Sequence, residues 1–467
     1  MFLNIDKQVK ENIAFEDDNN NNVTYGELCE ICKDFMGKNL TRCVVFILCE
    51  NTSGAMTSLC VCESSNLVPL VISAAIDQEL LNNLIQIYRP SYIFAPKNTD
   101  KSFEKEIIWE KLDYMACKTQ LSPYPINAKL SLLMTTSGST GSPKLVRYKY
   151  GNLESNAKNA SVAFRLKKDD RALCDLPIHY TMGLNVITSH LVIGATVVLT
   201  QSSLLSDTFW NIMNNNNITN FCGVPFSYEV FSKLRFTEME LPNLKTICEG
   251  GGKLTDKRFE ELAQYAKNKN KSFFASFGTT ETSARMSVLP PELALNKIGS
   301  IGKAIPEGKL YLLNSDGSKI EKIEAEGELG YSGPNVTMGY ALCKEDLLKG
   351  DEWNGEYRTG DIAYRDADGC YFIIGRTSRF LKLYGLRISL DRVELLIRNQ
   401  FDIECACDGT DDRMEIYITE KKFQGKVIPY ISKKINLQPT VFHLNVIDEI
   451  PKSENGKIKY SVLKTMC

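Results

Sequence analysis

Short apolar runs recur along the first 250 or so residues, spaced far enough apart to leave room for a helix between neighbours. Val44 to Leu48, Val68 to Ile72, Tyr92 to Ala95, Leu130 to Thr135, Thr196 to Thr200, Asn220 to Val224 and Leu244 to Cys248 are such runs. Continuous apolar runs of this length read as strands covered on both faces. Between them lie segments of helical character, the first from Thr24 to Lys33. Strands alternating with helices predict an α/β protein with largely parallel sheets. From about Gly299 the rhythm changes to short strands and tight turns, such as Leu313-Asn314-Ser315-Asp316-Gly317 and Asp366-Ala367-Asp368-Gly369. That predicts a small β-rich, barrel-like subdomain over about 299–376. Residues 377–467 mix strands and helices again. The expected organisation is therefore a large N-terminal domain, 1–376, of α/β subdomains with mixed sheets plus the barrel-like part. A small α+β domain, 377–467, follows it as a lid.

Composition narrows the function classes. With 467 residues, more than one domain is expected. The formal net charge of −2 gives no reason to expect nucleic acid or an anionic membrane as the main partner. No apolar stretch approaches the length of a membrane span, and the start, Met1-Phe2-Leu3-Asn4-Ile5-Asp6, lacks the pattern of a signal peptide. The expected location is cytoplasmic. Most of the 15 cysteines sit inside apolar segments, where cysteine acts as a small hydrophobe. Cys29 and Cys32 form a C-x-x-C within a helical segment, without a second pair or a nearby histidine, which argues against zinc. The three histidines, at 179, 190 and 443, leave little room for a histidine-rich metal centre.

Candidate chemistry starts at Leu133-Met134-Thr135-Thr136-Ser137-Gly138-Ser139-Thr140-Gly141-Ser142-Pro143-Lys144. An apolar strand runs into hydroxyls and glycines and closes on a lysine. Backbone N–H groups at Gly138 and Gly141, with the hydroxyls of Thr136, Ser137, Ser139 and Thr140, can surround a phosphate chain, and Lys144 adds positive charge. The same string also suits a polar surface loop. It departs from the common phosphate loop, because Gly141 is not followed by Lys and Ser or Thr and the next residues, Val146 to Tyr150, alternate like a strand. That argues against a P-loop ATPase or kinase. Four later clusters can complete the site. Phe277-Gly278-Thr279-Thr280-Glu281 would bring a ring, two hydroxyls and a carboxylate suited to Mg²⁺ to one strand end. Tyr357-Arg358-Thr359-Gly360-Asp361 places a carboxylate past a glycine turn, where it can accept ribose hydroxyls. Gly375-Arg376-Thr377-Ser378 opens a cationic stretch that continues to Ile388. Pro451 to Ile458 presents Lys457 on a turn. Each alone also reads as an ordinary turn or a solvated face.

In this order, with the Cys248-Glu249-Gly250-Gly251-Gly252 turn, the clusters resemble those of the adenylate-forming superfamily. It comprises acyl-CoA synthetases, aryl-acid ligases, carrier-protein ligases and peptide-synthetase adenylation domains. The resemblance runs from Thr24-Tyr25 to Lys457. It implies that Thr136, Ser137, Gly138, Ser139, Thr140, Gly141 and Lys144 handle ATP phosphates, with Gly250 and Gly251 on the adenine side. Phe277 stands where a tyrosine is usual and would stack near adenine. Gly278, Thr279, Thr280 and Glu281 contact nucleotide and Mg²⁺, and Asp361 and Arg376 contact ribose. Lys457, Glu281 and Thr140 are implied nearest the chemistry, Lys457 bridging the substrate carboxylate and the nucleotide in the first half-reaction. The small domain is implied to be mobile, rotating between half-reactions and bringing Lys382, Gly385 and their neighbours toward the site. Ser378 stands at the hinge, where Asp or Lys is usual.

The implied reaction uses ATP and Mg²⁺ to convert a carboxylic acid to acyl-AMP and pyrophosphate. The acyl group then passes to a phosphopantetheine thiol, on CoA or on a separate carrier protein. Leu176-Pro177-Ile178-His179-Tyr180-Thr181-Met182-Gly183-Leu184 lacks the aspartate that amino-acid-activating members place there, so acyl or aryl acids are favoured. An amino acid remains an alternative through Asp175. His179 and Gly183 are candidates for the acyl pocket or thiol tunnel, His179 equally for a structural role. A non-catalytic binding protein on the same fold is the remaining alternative, disfavoured by the retained Lys144, Glu281, Asp361, Arg376 and Lys457.

Overall fold

The computed structural model describes residues 1–103, 106–135, 144–384, 386–452, 457–463 and 465. The segment Thr136 to Pro143, and with it the candidates from Thr136 to Gly141, lies outside the described residues, as does Gly385.

Two large mixed sheets form the main body. The eight-stranded sheet has a parallel centre, in which Val44–Cys49 lies between Val68–Ser73 and Tyr92–Pro96, and Leu130–Thr135 pairs in parallel with Val68–Ser73. The nine-stranded sheet is parallel from Ser272–Phe277 through Thr246–Glu249, Asn220–Gly223, Arg171–Cys174 and Thr196–Leu199 to Ile13–Asp17. In both sheets antiparallel strands are added at the edges. All six residues of Val44–Cys49 are buried, as a strand covered on both faces requires.

One continuous core fills the space between the sheets. Helix Tyr25–Met36 begins with a capping box, in which the Thr24 hydroxyl accepts from the Glu27 N–H and the Glu27 carboxylate accepts from the Thr24 N–H. Its inward face carries Leu28, Cys29, Ile31, Cys32 and Phe35. Cys29 and Cys32 thus serve as small apolar groups in that face, and burial pushes the Cys32 thiol up to about 12.

The β-rich part is an antiparallel sheet of Lys309–Leu313, Ala325–Ser332, Glu356–Arg365 and Tyr371–Arg376. The barrel-like expectation takes this open four-stranded form. It joins the nine-stranded sheet through a bridge between Gly302 and Tyr371. Beyond it, Cys405–Thr410, Arg413–Ile418 and Phe442–Val446 form a three-stranded sheet packed with helices Leu390–Phe401 and Gln424–Ile435. This small lobe has its own core, including Val393, Ile397, Ile416 and Val427.

The parallel strands of the nine-stranded sheet set up the site. Arg171–Cys174, Asn220–Gly223, Thr246–Glu249 and Ser272–Phe277 all point the same way, so the residues just beyond their C-terminal ends gather at one edge.

Candidate active site

A cleft of about 1890 Å³ opens at that edge, between the main body, the four-stranded sheet and the small lobe. Its lining contains Lys144, Gly183, Gly251, Phe277, Gly278, Thr279, Thr280, Glu281, Asp361, Arg376, Ser378 and Lys457. Residues up to 313 positions apart in sequence, Lys144 and Lys457, therefore share one wall-lined space.

The strand end at Phe277 is held by close backbone packing. A Cβ at Gly278 would stand 1.4 Å from the Ala284 carbonyl oxygen, so only glycine fits there. The turn that follows is tied down on both sides. Tyr148 Oη donates to the Thr280 carbonyl at 2.7 Å, and the backbone N–H and hydroxyl of Thr337 both donate to the Glu281 carbonyl at 3.0 Å. Thr280 and Thr181 hydroxyls lie 3.2 Å apart. Tyr340 Oη donates to Glu281 Oε1 at 2.8 Å, while Lys144 Nζ sits over the Tyr340 ring, 3.6 Å from its centroid. Tyr340 thus connects the carboxylate to the lysine that closes the hydroxyl-rich loop. Sequence reasoning passed it over. Its position comes from pairing of Tyr340–Ala341 with Leu145–Lys149, which no local pattern reveals.

Arg147 secures that pairing. It is fully buried and donates to the carbonyls of Met338, Tyr340, Lys349 and Gly350, and it pairs with Glu352. One guanidinium therefore satisfies four carbonyls of the segment that carries Tyr340.

Asp361 is 5% exposed and sits opposite Arg376 on neighbouring antiparallel strands. Arg376 Nε donates to its Oδ1 at 3.2 Å. Burial raises the Asp361 carboxyl above the ordinary carboxylate range, and the Arg376 charge opposes that shift. The pair offers a carboxylate and a guanidinium at the cleft edge, a set that suits vicinal hydroxyls.

Lys457 reaches the same cleft from the small lobe. Its side chain keeps accessible surface because the cleft is open, yet protein surrounds it closely enough to lower its pKa. Desolvation is the main cause, Arg376 adds to it, and Glu281 works the other way. Those opposing influences put Lys457 within electrostatic range of both residues. The small lobe is held against the main body by Lys257–Asp402 at 2.5 Å, Asn399–Asp256 at 2.7 Å and Lys452–Glu229 at 3.9 Å.

A model of the AMP-binding enzyme family matches residues 4–341. The chain belongs to the AMP-binding enzyme family. Membership makes it an adenylate-forming enzyme. A 2-succinylbenzoate–CoA ligase from Bacillus subtilis (strain 168) is 28% identical over 383 residues, covering 78% of this chain and 77% of the relative. Among solved structures, o-succinylbenzoate CoA synthetase from Bacillus subtilis with its acyl-adenylate intermediate superposes with a TM-score of 0.79. It is 24% identical and covers 98% of this chain and 96% of its own. The same synthetase with ATP and magnesium gives 0.78 at 22% identity, covering 98% of each.

Several candidates lie elsewhere than the cleft wall. His179 is not among the residues lining it. The ring packs 4.4 Å from that of Tyr180, and burial lowers its pKa to about 4, which keeps it neutral. Gly183 does line the cleft, but its lack of a side chain also serves packing, since a Cβ would stand 2.5 Å from the Pro177 carbonyl oxygen. Lys382 is exposed on the hairpin of Phe380–Leu383 and Leu386–Ser389, away from the cleft lining. Gly250 adjoins the cleft through Met182 and Arg285, and Gly251, in its wall, has a left-handed φ of 77°. Arg285 was not foreseen. Nothing in its local sequence separates it from a surface arginine.

The donor set fits Mg²⁺ that arrives with a nucleotide. Among the described residues no group of three metal-ligating side chains occurs, and Glu281 stands beside the hydroxyls of Thr279 and Thr280 in the cleft. Mg²⁺ keeps several waters and takes phosphate oxygens readily, so one carboxylate from the protein suffices.

Proposed function

We propose that this enzyme adenylates a carboxylic acid with ATP and transfers the acyl group to CoA. The carrying observation is that Lys457, from the small lobe, shares a cleft with Glu281 and the Asp361–Arg376 pair of the main body. In the first step a carboxylate oxygen attacks the α-phosphorus and pyrophosphate leaves. In the second a thiolate attacks the acyl carbon and AMP leaves. Two anions must approach in the first step, and the Lys457 ammonium offsets the charge that develops between them. Glu281 and its neighbouring hydroxyls would hold Mg²⁺, whose charge offsets that of the phosphates. Asp361 and Arg376 orient the ribose, and the Thr136 to Lys144 loop takes the phosphates.

CoA is favoured over a carrier protein by the relative named as a CoA ligase. Acyl or aryl acids are favoured over amino acids because Leu176 to Leu184 holds no carboxylate to pair with an ammonium group. Asp175 also lines the cleft, its carboxyl pushed up to about 7 by burial, and it keeps an amino acid as the alternative. The hinge at Ser378 and the 376/377 domain boundary belong to the same proposal, supported by the separate core of the small lobe.

The test is acid-dependent exchange of labelled pyrophosphate into ATP, followed by acyl-CoA formation when CoA is added. Exchange with a carboxylic acid and CoA-dependent product are expected. Absence of exchange with every acid in a broad panel contradicts the reading.

A further inference from the structure

Arg285 is 3% exposed and carries a full positive charge into the protein. Among the described residues no carboxylate lies within ion-pair distance of it. Its partners are neutral or soft: Asn185 Oδ1 at 3.0 Å, Ser276 Oγ at 2.5 Å and Cys222 Sγ at 3.3 Å. Those contacts occupy three of the five N–H donors of a guanidinium. A buried cation without a full counter-charge is costly to keep.

The nearest acidic groups do not remove that cost. Glu249 is 4% exposed, and burial pushes its carboxyl well above the usual range, which disfavours its charged form. Its Oε1 has no hydrogen-bond partner among the described residues. Cys222, paired with Cys248 on the adjacent strand, has its thiol lowered to about 7 by its hydrogen bonds to Cys248 and Arg285. At neutral pH the counter-charge it offers is partial.

Position gives this charge a purpose. Among the described residues Arg285 alone lines both the main cleft and a separate 30 Å³ cavity, walled by Phe164, His190 and Cys222 among others. It therefore forms the end wall of the cleft at that point. A Cβ on Gly250 would stand 2.7 Å from Arg285 Nη1 and 3.1 Å from Met182 Cε, so the glycine leaves room for the guanidinium at the strand end. Immediately before it, Ala284 holds a φ of 97°, a conformation that L-residues with a side chain adopt at a cost. The chain bends through this strained turn into the segment that directs Arg285 inward.

We infer that Arg285 binds a second anionic group of the acid substrate, so that the enzyme's preferred acids are dicarboxylates, one carboxylate reacting and the other held at the end wall. This rests on the acid-activating reading above and extends it to substrate class. Arg285 is a specificity-determining residue. The second carboxylate supplies the counter-charge that Cys222 supplies in part.

The test uses matched pairs of acids, 2-succinylbenzoate against 4-oxo-4-phenylbutanoate and adipate against hexanoate. Each is assayed by pyrophosphate exchange on the full-length enzyme and by calorimetric binding without ATP. Each diacid is expected to exceed its monoacid partner by about 100-fold in kcat/KM, the discrimination of a buried charge pair. Arg285→Met removes that preference while the KM for ATP is unchanged, and Arg285→Lys keeps part of it. Equal kcat/KM within both pairs for the wild-type enzyme overturns the inference, whether or not the Met variant folds. So does a preference that survives in Arg285→Met. Arg285-dependent binding of a diacid without exchange would retain the inference and sink the acid-activating reading. Exchange without diacid preference would do the reverse.

Discussion

Asp361 and Lys457 line the same cleft, but different means hold them there. Asp361 is buried, paired with Arg376 across a strand ladder, and carried by a sheet bridged to the main body at Gly302 and Tyr371. Nearby, Glu281 is fixed through Tyr340 and the backbone of Thr337, and Tyr340 through Arg147. Lys457 comes from a lobe with its own core, held by polar contacts such as Lys257–Asp402, whose side chains are about half exposed. Surface ion pairs contribute about 0–1 kcal/mol each, whereas stripping a buried network costs several. On the proposed reading the main-body wall is preorganised for nucleotide, and the lysine assigned to adenylation can be withdrawn at little cost. A site that must perform two reactions in sequence has reason to be built this way.

Substitutions can break either side of this contrast. The largest expected effect is on the fixed wall's support. Arg147→Ala removes a fully buried side chain and its hydrogen bonds to four carbonyls, and should cost about 3 kcal/mol of stability, read by denaturant unfolding. Next is Asp361→Ala, which should raise the KM for ATP about 100-fold with the acid KM within about threefold, since a charged acceptor for substrate hydroxyls is lost. An unchanged ATP KM would remove its ribose role. Tyr340→Phe deletes one hydrogen bond to Glu281 and should lower the exchange rate about tenfold, shifting the Mg²⁺ dependence to higher concentration. On the movable side, Lys257→Ala should change turnover by less than about twofold, because an exposed pair is worth so little. A large loss there would show that the lobes are locked rather than movable.

The contrast also has a pH signature. Lys457 must be protonated to offset phosphate charge, and its pKa is lowered from 10.5 chiefly by desolvation. The protonated fraction is lost as pH rises through the lowered value. Exchange should therefore decline on an alkaline limb below pH 10.5, and Lys457→Arg should move that limb upward, because guanidinium keeps its proton.

Sequence reading found residues that the cleft brings together where they ride on short strings. Phe277 to Glu281, Asp361, Arg376 and Lys457 each stand in a recognisable local pattern, and the central strands are continuous apolar runs that nothing but a covered sheet would use. It could not supply long-range registers. Tyr340 reaches Glu281 only because Tyr340–Ala341 pairs with Leu145–Lys149, and Arg285 becomes an end wall only through neighbours on three other elements. His179, a candidate for the acyl pocket or thiol tunnel and equally for a structural role, is not in the cleft lining, which takes Tyr180 and Thr181 from the same segment. The outer strands Glu106–Lys111 and Tyr114–Lys118 were equally silent, their alternation being interrupted by a bulge.

A withdrawable lysine that serves adenylation alone is the centre of the proposed mechanism. Single-turnover kinetics of Lys457→Ala, with both half-reactions measured separately, test it most directly. Formation of acyl-adenylate from acid and ATP should fall by about 1000-fold or more, as for loss of a principal transition-state charge. Transfer from supplied acyl-adenylate to CoA should stay within about threefold of wild type, since the role proposed for Lys457 ends with adenylation. Equal loss of both half-reactions would contradict the account.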